Sequence, residues 1–331
     1  MQFIGDLVSK KITKQILLIL VFAFSNMGLQ AFAQSYPNKP IKIVVGFSPG
    51  GGPDISARAI GQKMTEKWGQ SVIVENRPGA GSNIASQVVA TSKPDGYTLL
   101  SVSNAFAIAP AIYSKLPFDT LKDFDGISLT ATGSAFVLIS PNLKINTMSE
   151  LIALAKKDPG KYTFSSAGVG SGSHFAVEIL KAKTGTDFLH VPTKGIPEGI
   201  TEVLSGRVDF FISPYASAVS MVRDGRAKAI AITALQRTKE FPNLPTVSET
   251  VPGYKWEFWY GLLAPKNTPK EILHQIAQEV KRVNEFADVK ERYANLGLEP
   301  VSNSPEEFDK MVKSEVSEFM RIAKAAKITA E

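Results

Sequence analysis

Ile41-Lys42-Ile43-Val44-Val45-Gly46-Phe47 leads through Ser48-Pro49-Gly50-Gly51-Gly52-Pro53-Asp54 into a segment of helical spacing from Ile55 to Trp68. A β-branched run, a turn with three consecutive glycines and an amphipathic stretch spell strand, turn and helix. The order recurs: Val72 to Glu75 before Ile84 to Thr91, then Tyr97 to Val102 before Ala105 to Ser114. Such alternation predicts βαβ units, hence an α/β sheet flanked by helices. A second series follows in Phe136 to Ser140, Ser149 to Lys157, Tyr162 to Ser165, His174 to Lys183, Val208 to Ser213 and Ala227 to Thr233. Each series has its own apolar strands. The spacing therefore predicts two α/β lobes, 34–135 plus 256–331 and 136–255, with crossings near residues 135 and 255. In the tail, Pro269 to Phe286 and Pro305 to Ala326 have helical spacing, with Thr268 and Ser304 expected as N-caps and a Pro at each first helical position.

Composition narrows the chemistry. The 331 residues are 44% hydrophobic and 9% aromatic, enough to build packed cores, which excludes intrinsic disorder. With no cysteine there is no disulfide, no cysteine-ligated metal and no thiol nucleophile. Three histidines, His174, His190 and His274, leave little imidazole chemistry. The net charge of +6 comes from scattered basic residues rather than a stripe, so no nucleic-acid partner is expected.

Lys10, Lys11 and Lys14 precede the apolar run Ile16 to Phe24, and Ala31-Phe32-Ala33 follows with small residues at the −3 and −1 positions. This is the pattern of a secretory signal peptide over 1–33, cleaved after Ala33, and the run is too short to cross a bilayer. Its removal takes away three Lys and Asp6 and lowers the net charge to +4. The mature chain is expected outside the cytoplasm.

The Gly50-Gly51-Gly52 turn leaves the backbone open to a ligand, and helix N-termini present unpaired N–H groups and the positive end of the helix dipole to an anion. Asp54 works against this, because as an N-cap its carboxylate would occupy one of those N–H groups. Ser165-Ser166-Ala167-Gly168-Val169-Gly170-Ser171-Gly172-Ser173-His174 is a second strand-to-helix turn, in the other lobe. It offers glycine backbone and hydroxyls, with His174 as a ligand contact or a residue closing the start of the helix. A valine at Gly50 or Gly170 is expected to remove ligand binding and leave the fold intact. Neither turn has P-loop, dinucleotide or G-x-S-x-G spacing, and His174 with Glu178 is too few ligands for a metal, so neither cofactor nor metal is expected. A third loop, Glu75 to Asn83, could touch the ligand through Gly81 and Ser82, while Arg77 beside Glu75 suits a surface ion pair. Asn104 lies just past a strand, where open α/β sheets place ligand groups, and is equally suited to an ordinary turn.

Tyr36-Pro37-Asn38-Lys39-Pro40-Ile41, Gly50-Gly51 through Asp54 to Arg58, Val74 to Gly81, Pro94 to Leu100, Ser166 to Ser171 with His174, His190-Val191-Pro192 and Pro242 to Val247 resemble the Bug/TctC family of periplasmic solute-binding receptors. The resemblance spans the mature chain. It implies a two-lobed, Venus-flytrap periplasmic-binding-protein fold with its cleft between the lobes, and a monomeric, non-enzymatic receptor that passes a small carboxylate to the membrane permease of a tripartite tricarboxylate transporter. It further implies that the carboxylate is held by Phe47, Pro49, Gly50, Gly51 and Asp54 in one lobe and Gly168, Gly170, Ser171 and His174 in the other. The sequence departs from the family at Thr193, where a Tyr is usual, and at Ile196-Pro197-Glu198, where small residues are usual, which bears on ligand identity. Two other readings use the same residues: a secreted hydrolase or isomerase built on Ser171, Ser173 or His174, and a ligand-sensing subunit of a signalling system.

Overall fold

The computed structural model describes residues 36–329. The predicted signal peptide lies outside the described residues. Among them no helix is long and apolar enough to cross a membrane.

The first sheet has the strand order β11-β4-β10-β3-β1-β2. β1 (Ile41–Val45) lies between β2 (Val72–Asn76) and β3 (Thr98–Ser103), all parallel. The helices α1 (Gly52–Trp68), α2 (Asn83–Ala90) and α3 (Asn104–Ile112) follow these strands in turn, as the βαβ pattern predicts. β4 (Phe124–Gly133), β10 (Phe258–Pro265) and β11 (Leu298–Pro300) complete the sheet with antiparallel pairings. β4 and β10 are its longest strands, and the alternation pattern passes over both. They pair with each other across 124–133 and 258–265, a long-range partnership with no helix between neighbouring strands to signal it.

The second sheet has the order β7-β6-β8-β5-β9: β6 (Thr163–Ser166), β7 (Leu189–Pro192), β8 (Phe210–Pro214) and β9 (Lys228–Ile232) run in one direction, while β5 (Ala135–Ile139) lies antiparallel between β8 and β9. Its helices are α4 (Met148–Lys157), α5 (Gly172–Thr184), α6 (Ile196–Leu204), α7 (Tyr215–Arg223) and the short α8 (Val247–Thr250). Phe136, Leu138, Val203, Phe211 and Tyr215 form part of one buried core cluster there. β5 is buried along its whole length, which explains an uninterrupted apolar run where an exposed strand would alternate.

Helix boundaries follow local chemistry. α1 begins three residues earlier than its apolar pattern suggests, because Gly51 adopts the N-cap conformation and Pro53 needs no N–H partner in the first turn; Gly69 in the left-handed region ends it. α9 (Lys270–Asn284) is capped by Pro269, and the expected cap Thr268 instead donates its hydroxyl to the Pro265 carbonyl, 2.7 Å away. α10 (Ala287–Ala294) leads to β11, and α11 (Pro305–Ala326) starts as expected, with Ser304 and Glu307 in a reciprocal capping box.

The topology brings the functional ends of both sheets together. Phe258 pairs with Gly133 and Tyr260 with Ser103, so the chain enters and leaves this sheet at the carboxyl ends of β1, β2 and β3. In the other sheet Ala135 pairs with Pro214, placing the start of β5 at the carboxyl ends of β6, β7 and β8. Only Ser134 separates β4 from β5. The strand-to-helix turns of both lobes therefore border the crossing, which is where open α/β sheets bind ligands.

Candidate functional site

Turn one runs from Gly46 to Gly51 between β1 and α1. Phe47 is half-buried and Ser48, Pro49 and Gly50 are exposed. Asp54 is not the N-cap. It sits in the first turn of α1, buried, and its Oδ2 accepts the Gly50 N–H at 2.9 Å. The Gly50 N–H is therefore committed to the protein, while the N–H groups of Gly51 and Gly52 have no acceptor among the described residues. Pro49 has no N–H to offer, and the Phe47 carbonyl accepts from Asn76 Nδ2 at 2.9 Å.

Arg58 closes the charge balance. Its Nε lies 3.0 Å from both Asp54 oxygens, and its second terminal nitrogen reaches Asn76 Oδ1 at 2.9 Å. Burial alone would raise the Asp54 pKa, yet the bonds from Arg58, the Gly50 N–H and Asn76 together hold it below the ordinary value. An anion at Gly51 and Gly52 thus meets a neutralised acid, and the expected opposition from Asp54 is removed one turn into the helix.

The third loop is strained. Gly79, Ala80, Gly81 and Ser82 all have positive φ, and two of them are not glycine. Ser82 is buried, its hydroxyl has no partner, and a side chain on Gly46 would meet that hydroxyl at 1.8 Å. Gly46 must be glycine for this loop to cover turn one. Arg77 pairs with Glu75, as the sequence suggests. Asn104 joins the crossing: its Nδ2 donates to the Glu257 carbonyl at 3.2 Å and its Oδ1 accepts the Trp259 N–H at 3.0 Å. Both polar ends are engaged with the backbone where the chain re-enters the first sheet.

Turn two, between β6 and α5, satisfies most of its own donors. The Gly168 N–H bonds Ser166 Oγ at 3.1 Å, the Ala167 N–H bonds Ser173 Oγ at 3.0 Å, and the Gly170 N–H bonds His174 Nδ1 at 3.2 Å. Ser171 is the N-cap of α5, accepting the His174 N–H at 3.3 Å and donating to the Gly168 carbonyl at 2.7 Å. The N–H groups of Gly172 and Ser173 remain without an acceptor among the described residues. Ser171, Ser173 and His174 therefore shape the turn, and no serine hydroxyl among them bonds the His174 ring.

His190 lies outside the residues the sequence reading selects as site candidates. Its ring stacks on His174 with centroids 3.9 Å apart and on Phe164 at 4.7 Å, and its Nε2 lies 2.6 Å from Ser166 Oγ. Burial, then each imidazole's charged neighbours, lowers the pKa of His174 to about 3 and of His190 to about 4. Both are neutral at physiological pH. Because Nδ1 of His174 accepts from Gly170, its proton resides on Nε2, 3.8 Å from Glu178 Oε1, and that contact is not an ion pair. Strand spacing signals this pair: His190 on β7 is level with Phe164 on β6, ahead of the turn.

Thr193 ties the next loop to turn two, its hydroxyl donating to the Ser166 carbonyl at 2.7 Å. The Glu198 carboxylate accepts the Lys194 N–H at 2.9 Å. The two lobes touch at turn two: a side chain on Gly170, which has φ +75°, would meet Ile112 Cδ1 of α3 at 1.8 Å. Valine at Gly170 is thus no clean test of ligand binding, and this corrects the sequence-based expectation. Gly50 also has positive φ (+85°), though with nothing within 4 Å of an added Cβ.

The profile of the tripartite tricarboxylate transporter family receptor matches residues 56–328. A UPF0065 protein of Bordetella pertussis is 33% identical over 305 residues, covering 90% of this chain and 93% of its own. The solved structure of Rpa4515 from R. palustris with adipate is 28% identical with a TM-score of 0.80, covering 89% of this chain and 99% of that one. MatC from Rhodopseudomonas palustris with bound malate is 29% identical with a TM-score of 0.76, covering 87% and 99%.

Proposed function

The chain belongs to the tripartite tricarboxylate transporter receptor family, and from that premise we propose that it captures a small organic carboxylate between its lobes and delivers it to the membrane permease of such a transporter. In this reading the protein is a periplasmic monomer, released by cleavage after Ala33, with lobes 34–135 plus 256–331 and 136–255. It acts by binding and not by turnover.

The observation that carries the reading is the pair of uncommitted N–H groups on Gly51 and Gly52, at the positive end of α1, beside an aspartate already neutralised by Arg58. Gly172 and Ser173 offer the matching pair at the start of α5. Four charge-assisted hydrogen bonds at about 1.5–3 kcal/mol each come, before ordering costs, to about 6–12 kcal/mol, a range that spans the roughly 8 kcal/mol of a micromolar complex. Two of the similar solved proteins hold adipate and malate, both carboxylates. Around these donors the remaining proposed contacts, from Phe47 to Thr193, set the shape of the loops.

The test starts from a thermal-shift panel of organic acids on the mature protein, since a tight ligand raises the melting temperature by mass action. Calorimetry then compares the best acid with its primary amide at one pH and salt. The amide removes the charge and places N–H donors against N–H donors, so its affinity should fall by about 30- to 150-fold. Equal affinity for acid and amide would overturn the carboxylate reading.

A further inference from the structure

We infer that the phenol hydroxyl of Tyr260 belongs to the carboxylate site at turn one and donates to the same anion as the Gly51 and Gly52 N–H groups. The inference rests on the carboxylate reading above and adds a side-chain donor from the strand that re-enters the first sheet. Tyr260 is the third residue of β10 and pairs with Ser103 at the carboxyl end of β3. Its ring covers the first residue of α1: a side chain on Gly52 would meet Tyr260 Cζ at 2.1 Å and the hydroxyl oxygen at 2.3 Å. Because a Cβ lies about 2.5 Å from its own backbone nitrogen, the hydroxyl oxygen is within about 5 Å of the Gly52 nitrogen. A carboxylate that accepts the Gly52 N–H at about 2.9 Å can therefore accept from the phenol too, through the same oxygen or its second one.

The hydroxyl has nothing else to bond. Tyr260 is 6% exposed, and its oxygen has no hydrogen-bond partner among the described residues. Other buried phenols differ: Tyr215 donates to Glu240 at 2.5 Å, Tyr254 donates to the Ala176 carbonyl at 3.0 Å, and Tyr293 has its unpartnered oxygen sealed from solvent, which that of Tyr260 is not. Burial pushes the Tyr260 pKa up, so the group is a protonated donor at physiological pH and sets no charge against an anion. Packing against Gly52 would be served by phenylalanine, and a nearly buried hydroxyl without an acceptor is a cost that a bound anion removes. Phe258, two positions earlier and on the same face of β10, makes the matching contact in the other lobe, where a side chain on Gly172 would meet its Cε1 at 2.6 Å. One strand face thus lies against both glycines that open the two helices, with a donor at α1 and a plain ring at α5.

Calorimetry on the mature protein with hexanoate, adipate, malate, citrate and benzoate compares wild type with Tyr260→Phe, which removes one oxygen and keeps the ring. For the acid that binds wild type most tightly, affinity should fall by about ten- to thirtyfold, the loss of one charge-assisted hydrogen bond, while the melting temperature of the ligand-free protein holds or rises. Tyr254→Phe is the contrast: its hydroxyl is spent on the Ala176 carbonyl, so the melting temperature should fall and affinity for the same acid stay within about twofold. Equal affinity in wild type and Tyr260→Phe would overturn the inference and leave the carboxylate reading standing. Equal weakening in the two variants would do the same, since it marks a loosened crossing and not a lost contact. A lower melting temperature in ligand-free Tyr260→Phe would show the hydroxyl already engaged within the protein, which also overturns the inference. If none of the five acids binds wild type, the inference and the carboxylate reading fall together.

Discussion

Turn one and turn two hold equivalent places, each joining the carboxyl end of a parallel strand to a helix at the crossing between lobes, but their polar groups are handled differently. In turn one, residues 47–52 are exposed or half-buried, and a network anchored by Asp54, Arg58 and Asn76 holds the loop from beneath. In turn two, Ser166, Gly170, Gly172, Ser173 and His174 are buried, and the loop is held by its own hydroxyls and a neutral imidazole. A glycine-rich turn can thus be open and charge-balanced or closed and self-satisfied. A carboxylate would meet the first as a ready donor set and the second as a rigid wall that contributes only its helix-terminal N–H groups.

The sharpest break in this contrast is Gly170→Val. The added side chain lands on Ile112 and the backbone is left-handed, so overpacking and strain together should lower stability by about 2–5 kcal/mol. A denaturant midpoint equal to wild type would show that turn two is not locked against α3.

Of the two turns, acidification should act on turn two. His174 and His190 have folded pKa values of about 3 and about 4, below the ordinary 6.5, so the unfolded chain takes up protons first as pH falls. Their contribution is complete above about pH 6.5 and is lost progressively below it, amounting to about 2–4 kcal/mol for the pair by pH 5. Glu315, pushed up to about 7 mainly by burial, takes up a proton in the folded state over the same window and offsets part of this loss. The histidine share is therefore read as the difference in pH dependence between wild type and His190→Gln. Identical slopes between pH 7 and pH 5 would show that the stacked pair is not held neutral by the fold. Turn one has no such response in that window, since the Asp54 pKa is lowered and its stabilisation is lost only at more acidic pH.

Gly51→Asp separates binding from folding in turn one. Gly51 already has N-cap geometry, φ −78° and ψ 164°, so aspartate fits there and stability should hold or rise by a few tenths of a kcal/mol, about what a cap adds over glycine. Its carboxylate would set a second negative charge beside the Gly51 and Gly52 N–H groups and repel an anion there, weakening binding by at least about 30-fold, roughly 2 kcal/mol. Retained affinity in the folded variant would move the anion site away from α1. The smallest effect belongs to Gly50→Ala: with open space around the new methyl group, only the positive φ opposes it, at about 1 kcal/mol. A loss comparable to that of Gly170→Val would erase the distinction between the two turns.

Much of this was legible in the chain itself. Ile41 to Trp68 declares strand, turn and helix through local preferences alone, and Ser304 with Glu307 declares the start of α11, because caps and turns are decided within a few residues. The two glycine-rich turns and the resemblance to periplasmic receptors were visible for the same reason. β4 and β10 were not, since their pairing joins segments more than a hundred residues apart and gives no local period beyond a plain apolar run. Tertiary structure alone decided which donors remain free. Asp54 acts as a clamp on Gly50 only because Asn76 from a neighbouring strand and Arg58 converge on it, and His174 is a neutral acceptor only because the fold buries it beneath His190, sixteen residues on, where a charge would be poorly solvated. Hydrogen-bond commitment and desolvation depend on what the fold brings within 3 Å or so, a distance at which sequence neighbours have no priority.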